Sequence, residues 1–315
     1  MQYRHEWKHE ISVFDVLCLR IAGGGITVNS CSEGIESPEI LIEDGNITVT
    51  STDDGINACG TETADGSLPG VTINGGVIHA VGKGSAAGIG SKGDIRITGG
   101  ELTVSAEGSG AAIGGFTDSY SERVDCKSIT INGNAIKSLS SKDGACIGAA
   151  TGGSVGSITI SDAELPLLSS NKILIGWDAD SPGGKLTIRN CHVASTDELT
   201  TRTDGIRVGS NSELVIEESE IRLPHLRGIR VGGNGSIAVR DSDLHTYGIF
   251  MDENAKSPND AKTLKRLEIT NSTVLTGDII GARGEYSSVE EIVIRGSIIR
   301  LNDEYTYCLL YTSDA

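Results

Sequence analysis

A chain of 315 residues can hold one large domain or two ordinary ones. With 42 glycines, 6 prolines and aromatics at 4%, it can be neither an aromatic-rich globule nor a proline-rich disordered segment or a collagen. A net charge of -17 disfavours nucleic acid and anionic membrane, whose phosphate field would repel it, and makes cations and neutral or cationic ligands the natural partners.

No apolar run reaches transmembrane length, so membrane insertion is not expected, and no signal-peptide pattern opens the chain. The 7 cysteines are scattered, odd in number and without CxxC spacing. They read as thiols rather than a disulfide framework or a zinc site.

Residues 1–18 carry no repeat. From Leu19-Arg20-Ile21 onward a short alternating strand recurs, as ILI from Ile40, VTI from Val71, IRI from Ile95 and ITI from Ile129 and Ile158. It returns as LTI from Leu186, LVI from Leu214, IAV from Ile237, LEI from Leu267 and IVI from Ile292. Alternation of this kind is the period of a half-buried strand. One residue beyond each strand comes a corner, at Asp44, Gly75, Gly99, Gly133, Asp162, Asn190, Glu218, Asp241, Asn271 and Gly296. All but Glu218 are residue types that tolerate positive φ. The next position is mostly small. A second strand follows, with inward residues such as Ile47, Ile78, Leu102, Ile136 and Leu165, and then a third with a Gly-Ile-like step, as in DDGIN, AAGIG and TDGIR.

Repeats of 21 to 34 residues with three short strands each predict an all-β, single-stranded parallel β-helix over residues 19–301. Its hand should be right-handed, since parallel crossovers nearly always are. About eleven turns at ~4.8 Å make a rod of roughly 50 Å. A hairpin-built sandwich would show regular NG or DG turns, which are absent. Insertions are expected at residues 116–128, 177–185 and 252–266.

The first two turns hold the most informative comparison. GGITVNSCSEGIE from Gly24 aligns with GNITVTSTDDGIN from Gly45 at an offset of 21, with seven identities in thirteen positions. In a coil that offset sets Glu33 over Asp54, Ser32 over Asp53 and Glu36 over Asn57. Stacked carboxylates repel unless protonated or bridged by a cation, and an oxygen-rich set suits calcium better than zinc. A solvated acidic corner is the equal alternative from the residues alone.

EGIE followed by a strand and then STDDGINA resembles the signature of a family of secreted bacterial carbohydrate-binding β-helices with bound calcium. The resemblance is specific over Gly24 to Ala58. It implies a pectate-lyase-like coil outside the cell or at its surface. It also implies binding of pectic or cellulosic polysaccharide without catalysis, and calcium held by Glu33, Asp53, Asp54 and Asn57. The family commonly shows several DDG turns, whereas the middle turns here carry Ala87, Ala111 and Ala145. YRHEWKHEI near the start resembles the opening strand of bacterial polyphosphate polymerases; residues 1–20 read as a fused or mis-assembled start, or else as a cap on the first turn. CLLYTSDA within residues 302–315 resembles translated adaptor and reads as a non-native tail.

Two other readings compete. A polyuronate lyase on this fold would use calcium with Arg207 or Arg230, which share one column, as the proton-abstracting base. A structural stalk of a bacterial surface adhesin, whose Gly-rich repeats the GAAIGG turns resemble, would need no ligand. Trp177 and Tyr247 are the candidate sugar-stacking faces.

Overall fold

In a computed structural model, residues 11–12, 18–59, 68–117, 122–178, 181–195, 203–224, 226–251, 261–277, 280–282 and 286–301 are described. They form no helix, and parallel ladders carry nearly all of the strand pairing. The third strands of successive turns stack into an 11-stranded sheet that starts at Ile11–Ser12 and ends at Ile280–Ala282. The first and second strands make a 20-stranded sheet, joined because Leu19–Cys31 and Glu39–Ser51 each run as one strand across the corner. This is the parallel β-helix expected from the repeat.

Register follows the sequence repeat. Ile95 lies between Val71 and Ile129, and Ile97 between Ile73 and Ile131. Each inward side chain therefore packs on its own equivalents above and below. Ile40, Ile47, Ile95, Leu102, Ile158 and Leu165 are fully buried, whereas Ile26 and Ile299, near the two ends, are only partly so. The excursion after the fourth turn pairs Phe116–Thr117 antiparallel with Arg123–Val124 outside the coil. The expectations for residues 1–10, 13–17 and 302–315 lie outside the described residues. Ile11 and Ser12, though, pair in parallel with Ile35 and Glu36.

The corners depart from the expected scheme in the early turns. Positive φ falls on Gly45, Gly76 and Gly100, one residue later than the predicted Asp44, Gly75 and Gly99. From the sixth turn it falls on the predicted residues Asp162, Asn190, Glu218, Asp241 and Asn271, at φ of 50 to 55°. The reason is what occupies the second corner position. Where two flexible residues meet, the bend slides to the glycine. Where Ala163, Cys191 or a serine follows, the bend stays on the first residue, and the serines add a tie: Ser219, Ser242 and Ser272 each donate to the carbonyl two residues back, at 2.6, 2.6 and 2.7 Å. The same hydroxyls accept the N–H of Cys191, Ser219 and Ser242 from the preceding turn, each at 3.1 Å. A serine ladder thus ties the later corners together.

The third strand explains the Gly-Ile-Gly motif. Gly114, Gly148 and Gly176 stack in one column with φ of 136, 144 and 122°. A Cβ on Gly148 would stand 1.9 Å from the carbonyl oxygen of Gly176, so no side chain fits.

Two substitutions test the packing. Ile136→Ala should cost ~2–5 kcal/mol in denaturant unfolding, because neighbouring turns can relax only partly around the cavity; a loss under about half a kcal/mol would mean that Ile136 does not fill the core. Gly148→Ala should destabilise by more than ~1 kcal/mol, as expected where φ is positive and space is missing, and a neutral result would contradict the stacked third strands.

Candidate functional site

Three places bring chemistry-bearing side chains together. The first is the acidic cluster of the first two turns. Its register is the one read from the sequence: Ile35 pairs with Ile56 and Glu36 with Asn57, while Asp53 N–H donates to the carbonyl of Ser32 and Gly34 N–H to that of Asp54. Asp54 is 2% exposed, and both of its carboxylate oxygens have structural work. Oδ1 accepts the N–H of Ala87 from the next turn, and Oδ2 accepts Asn57 Nδ2 at 2.9 Å. The Cys59 thiol donates to Glu36 Oε1.

Electrostatics in this cluster is one-sided. Burial first, then Asp54, Asp53 and Glu36, push the Glu33 carboxyl up to about 9, and it hydrogen-bonds Asp53. Burial pushes Asp54 well above the usual carboxylate range, against the Ala87 amide, which favours the charged form. Burial and the Glu36 contact raise the Cys59 thiol to about 12. Among the described residues no trio of His, Cys, Asp or Glu is gathered to hold a metal ion. The oxygens that fit a hard cation are fewer. Glu33 Oε2 and Asn57 Oδ1 are buried acceptors without a hydrogen-bond donor, with Asp53 adjacent.

The second place repeats the first with opposite electrostatics. Asp204-Gly205-Ile206-Arg207 occupies the positions of Asp54-Gly55-Ile56-Asn57 within its own turn. Along the ladder Gly176, Arg207, Arg230 and Phe250 succeed one another in the column that contains Asn57. Asp204, 2% exposed, receives Arg207 Nη1 on Oδ2 at 2.9 Å and Arg230 Nη1 on Oδ1 at 2.6 Å. Arg207 also reaches Asp178 at 3.5 Å. Arg230 lies 5.5 Å from the Phe250 ring centroid. Burial lowers the Arg230 guanidinium from its ordinary value, opposed by Asp204. Both arginines proposed as lyase bases are thus engaged with one buried carboxylate.

The aromatic candidates separate. Trp177 is completely buried, packed close to Gly184 and Gly209, so it offers no face to a sugar; this corrects the expectation. Tyr247 is partly exposed, but Phe116 and Phe250 are buried, so among the described residues no aromatic platform forms around it.

The third place was not singled out in the sequence. A groove of about 660 Å³ follows the corner of the sixth to tenth turns, whose first strands are Val155–Ser161, Pro182–Arg189, Ser210–Glu217, Ser236–Arg240 and Arg266–Thr270. Each turn contributes a polar–small–polar triplet, from Asp162-Ala163-Glu164 to Asn271-Ser272-Thr273. The small residues are buried and form the floor; the flanking polar side chains form two walls. The signal was present as that triplet, but its first member was accounted for by corner geometry alone.

A family model described as "Carbohydrate-binding domain-containing protein" matches residues 6–167, a span that contains the acidic cluster and the start of the groove. No curated protein and no solved structure matches the chain.

The cluster makes a prediction for pH. Glu33 binds its proton more tightly in the folded coil than in the open chain. Without divalent cations its contribution is therefore fully present below 4.5 and is lost as pH rises toward about 9. Glu33→Gln should flatten the fall in melting temperature over that window relative to wild type. Identical pH profiles for the two proteins would show that Glu33 titrates as an ordinary surface acid.

Proposed function

We propose, since the chain belongs to the carbohydrate-binding domain-containing family, that it is a non-catalytic polysaccharide-binding solenoid with a calcium-stabilised first pair of turns. The observation that carries this reading is the pairing of Arg207 and Arg230 with Asp204. A lyase base must shed its proton and reach the substrate. A guanidinium that donates to a buried carboxylate is turned toward that carboxylate rather than toward a substrate, and Arg230 is only 9% exposed.

Calcium is supported by comparing the two equivalent seats. Around Asp204, two guanidinium groups supply the positive charge. Around Asp54 the same column carries Glu36, Asn57 and Gly90, and no cationic side chain is among the charges that act on Glu33 and Asp54. Glu33, Asp53 and the Asn57 carbonyl oxygen would hold the ion, which would neutralise the stacked acids. A pectic or cellulosic ligand would place the protein outside the cell or at the cell surface.

Two measurements test this reading. The protein should be retained on insoluble cellulose or bind pectic oligosaccharides without releasing unsaturated uronides; release that disappears in Arg230→Lys would establish a lyase instead. Excess calcium should raise the wild-type melting temperature over that in chelator, by the equivalent of ~2.7 kcal/mol at a hundredfold excess over Kd. Glu33→Gln should remove most of the rise. Glu33 is the better target, because Asp54→Asn would also set one amide against the Asn57 amide. Equal wild-type melting temperatures in calcium and chelator would eliminate the ion.

A further inference from the structure

We propose that the corner groove of the sixth to tenth turns is the polysaccharide-binding face, and that its ligand is a neutral, extended, hydroxyl-rich chain lying along the coil axis. This rests on the carbohydrate-binding reading above and adds the place and the class of ligand.

Shape comes first. Five turns span roughly 19 Å at a rung spacing of ~4.8 Å, a spacing close to the length of one sugar ring in an extended chain. Polar side chains therefore recur in step with successive sugars. The floor is low because the second corner position is small and buried, which lets a flat ring sit between the walls.

The walls are held in place by their neighbours. Asn190 Nδ2 donates to Asp162 Oδ1 at 2.7 Å, and Asn271 Nδ2 to Asp241 Oδ1 at 3.2 Å, each across a turn boundary. On the opposite wall, Arg222 bridges Glu220 at 2.9 Å and Asp243 at 2.8 Å. Carboxylate and amide oxygens fixed in this way are good acceptors for sugar hydroxyls, and their ordering entropy is lost on folding rather than on binding. The early turns show that corner geometry does not demand these walls: the same positions there are Gly75-Gly76-Val77 and Gly99-Gly100-Glu101.

Charge selects the ligand. The groove is lined by six carboxylates against His192 within it and the arginines beside it. A polyuronate would meet like charge along the groove, whereas a neutral chain meets carboxylate acceptors together with amide and hydroxyl groups.

Binding is to be measured by calorimetry on the full chain. The probes are neutral hexasaccharides of the glucan, xylan and mannan types, with polygalacturonate in parallel. A neutral probe should bind with little salt dependence, as expected without ion pairing. The combined Glu164→Ala, Glu220→Ala and Asp243→Ala variant should lose at least about tenfold in affinity. Thr273→Trp, which fills the groove from an extended strand position, should lose binding as well, and Glu101→Ala, in the same column outside the groove, should not. Wild-type affinity in both groove variants would overturn the location while leaving carbohydrate binding intact. Binding of polygalacturonate alone would overturn the ligand class. Binding of none of the probes would overturn both this proposal and the reading it rests on.

Discussion

In-register stacking governs this protein. Every side chain has its counterpart about one strand spacing, ~4.8 Å, above and below. For aliphatic residues the rule is favourable, and columns such as Ile40, Val71, Ile95 and Ile129 build a continuous core without aromatic side chains. For charged residues it is hostile, because like would stand on like. The chain meets this in several ways. Amides alternate with carboxylates at Asp162 and Asn190; arginines bracket Asp204; serine hydroxyls both donate and accept at the later corners. Where Glu220 stands over Asp243, Arg222 bridges the two, whereas Glu33 and Asp54 of the first two turns stand among other acids.

Much of this was legible in the residues. Strand positions, the inward columns, the offset of the first two turns and the Gly-Ile step all follow from local periodicity, and the structure reproduces them. What failed to show depended on contacts far apart in sequence. Periodicity cannot say whether a loop tucks under or out, and Trp177 tucks under because Gly184 and Gly209 leave room for it. The slide of positive φ to Gly45, Gly76 and Gly100 reflects which of two adjacent small residues bends more cheaply. Arg207 and Arg230 could be placed in one column, but their common grip on Asp204 required knowing that Asp204 is buried.

The division of labour along the coil follows. Its middle turns, with glycine and alanine at the third strand, are close-packed scaffold in which the main chain itself fills the outer column. Larger polar residues return to either side, in the acidic cluster and in the corner groove. Such a layout suits a ligand that is long, repetitive and bound by many modest contacts, since each turn offers an equivalent set of hydrogen-bonding groups.

The matched seats of Asp54 and Asp204 have a further consequence. One carries its counter-charge within the chain; the other must take it from the surroundings, as a proton or an ion. Turns of a solenoid couple chiefly to their neighbours, so the two parts of the rod need not share one stability. The beginning can fray while the remainder stays wound. The stability of the first two turns then depends on the medium, and that of the later turns on the chain itself.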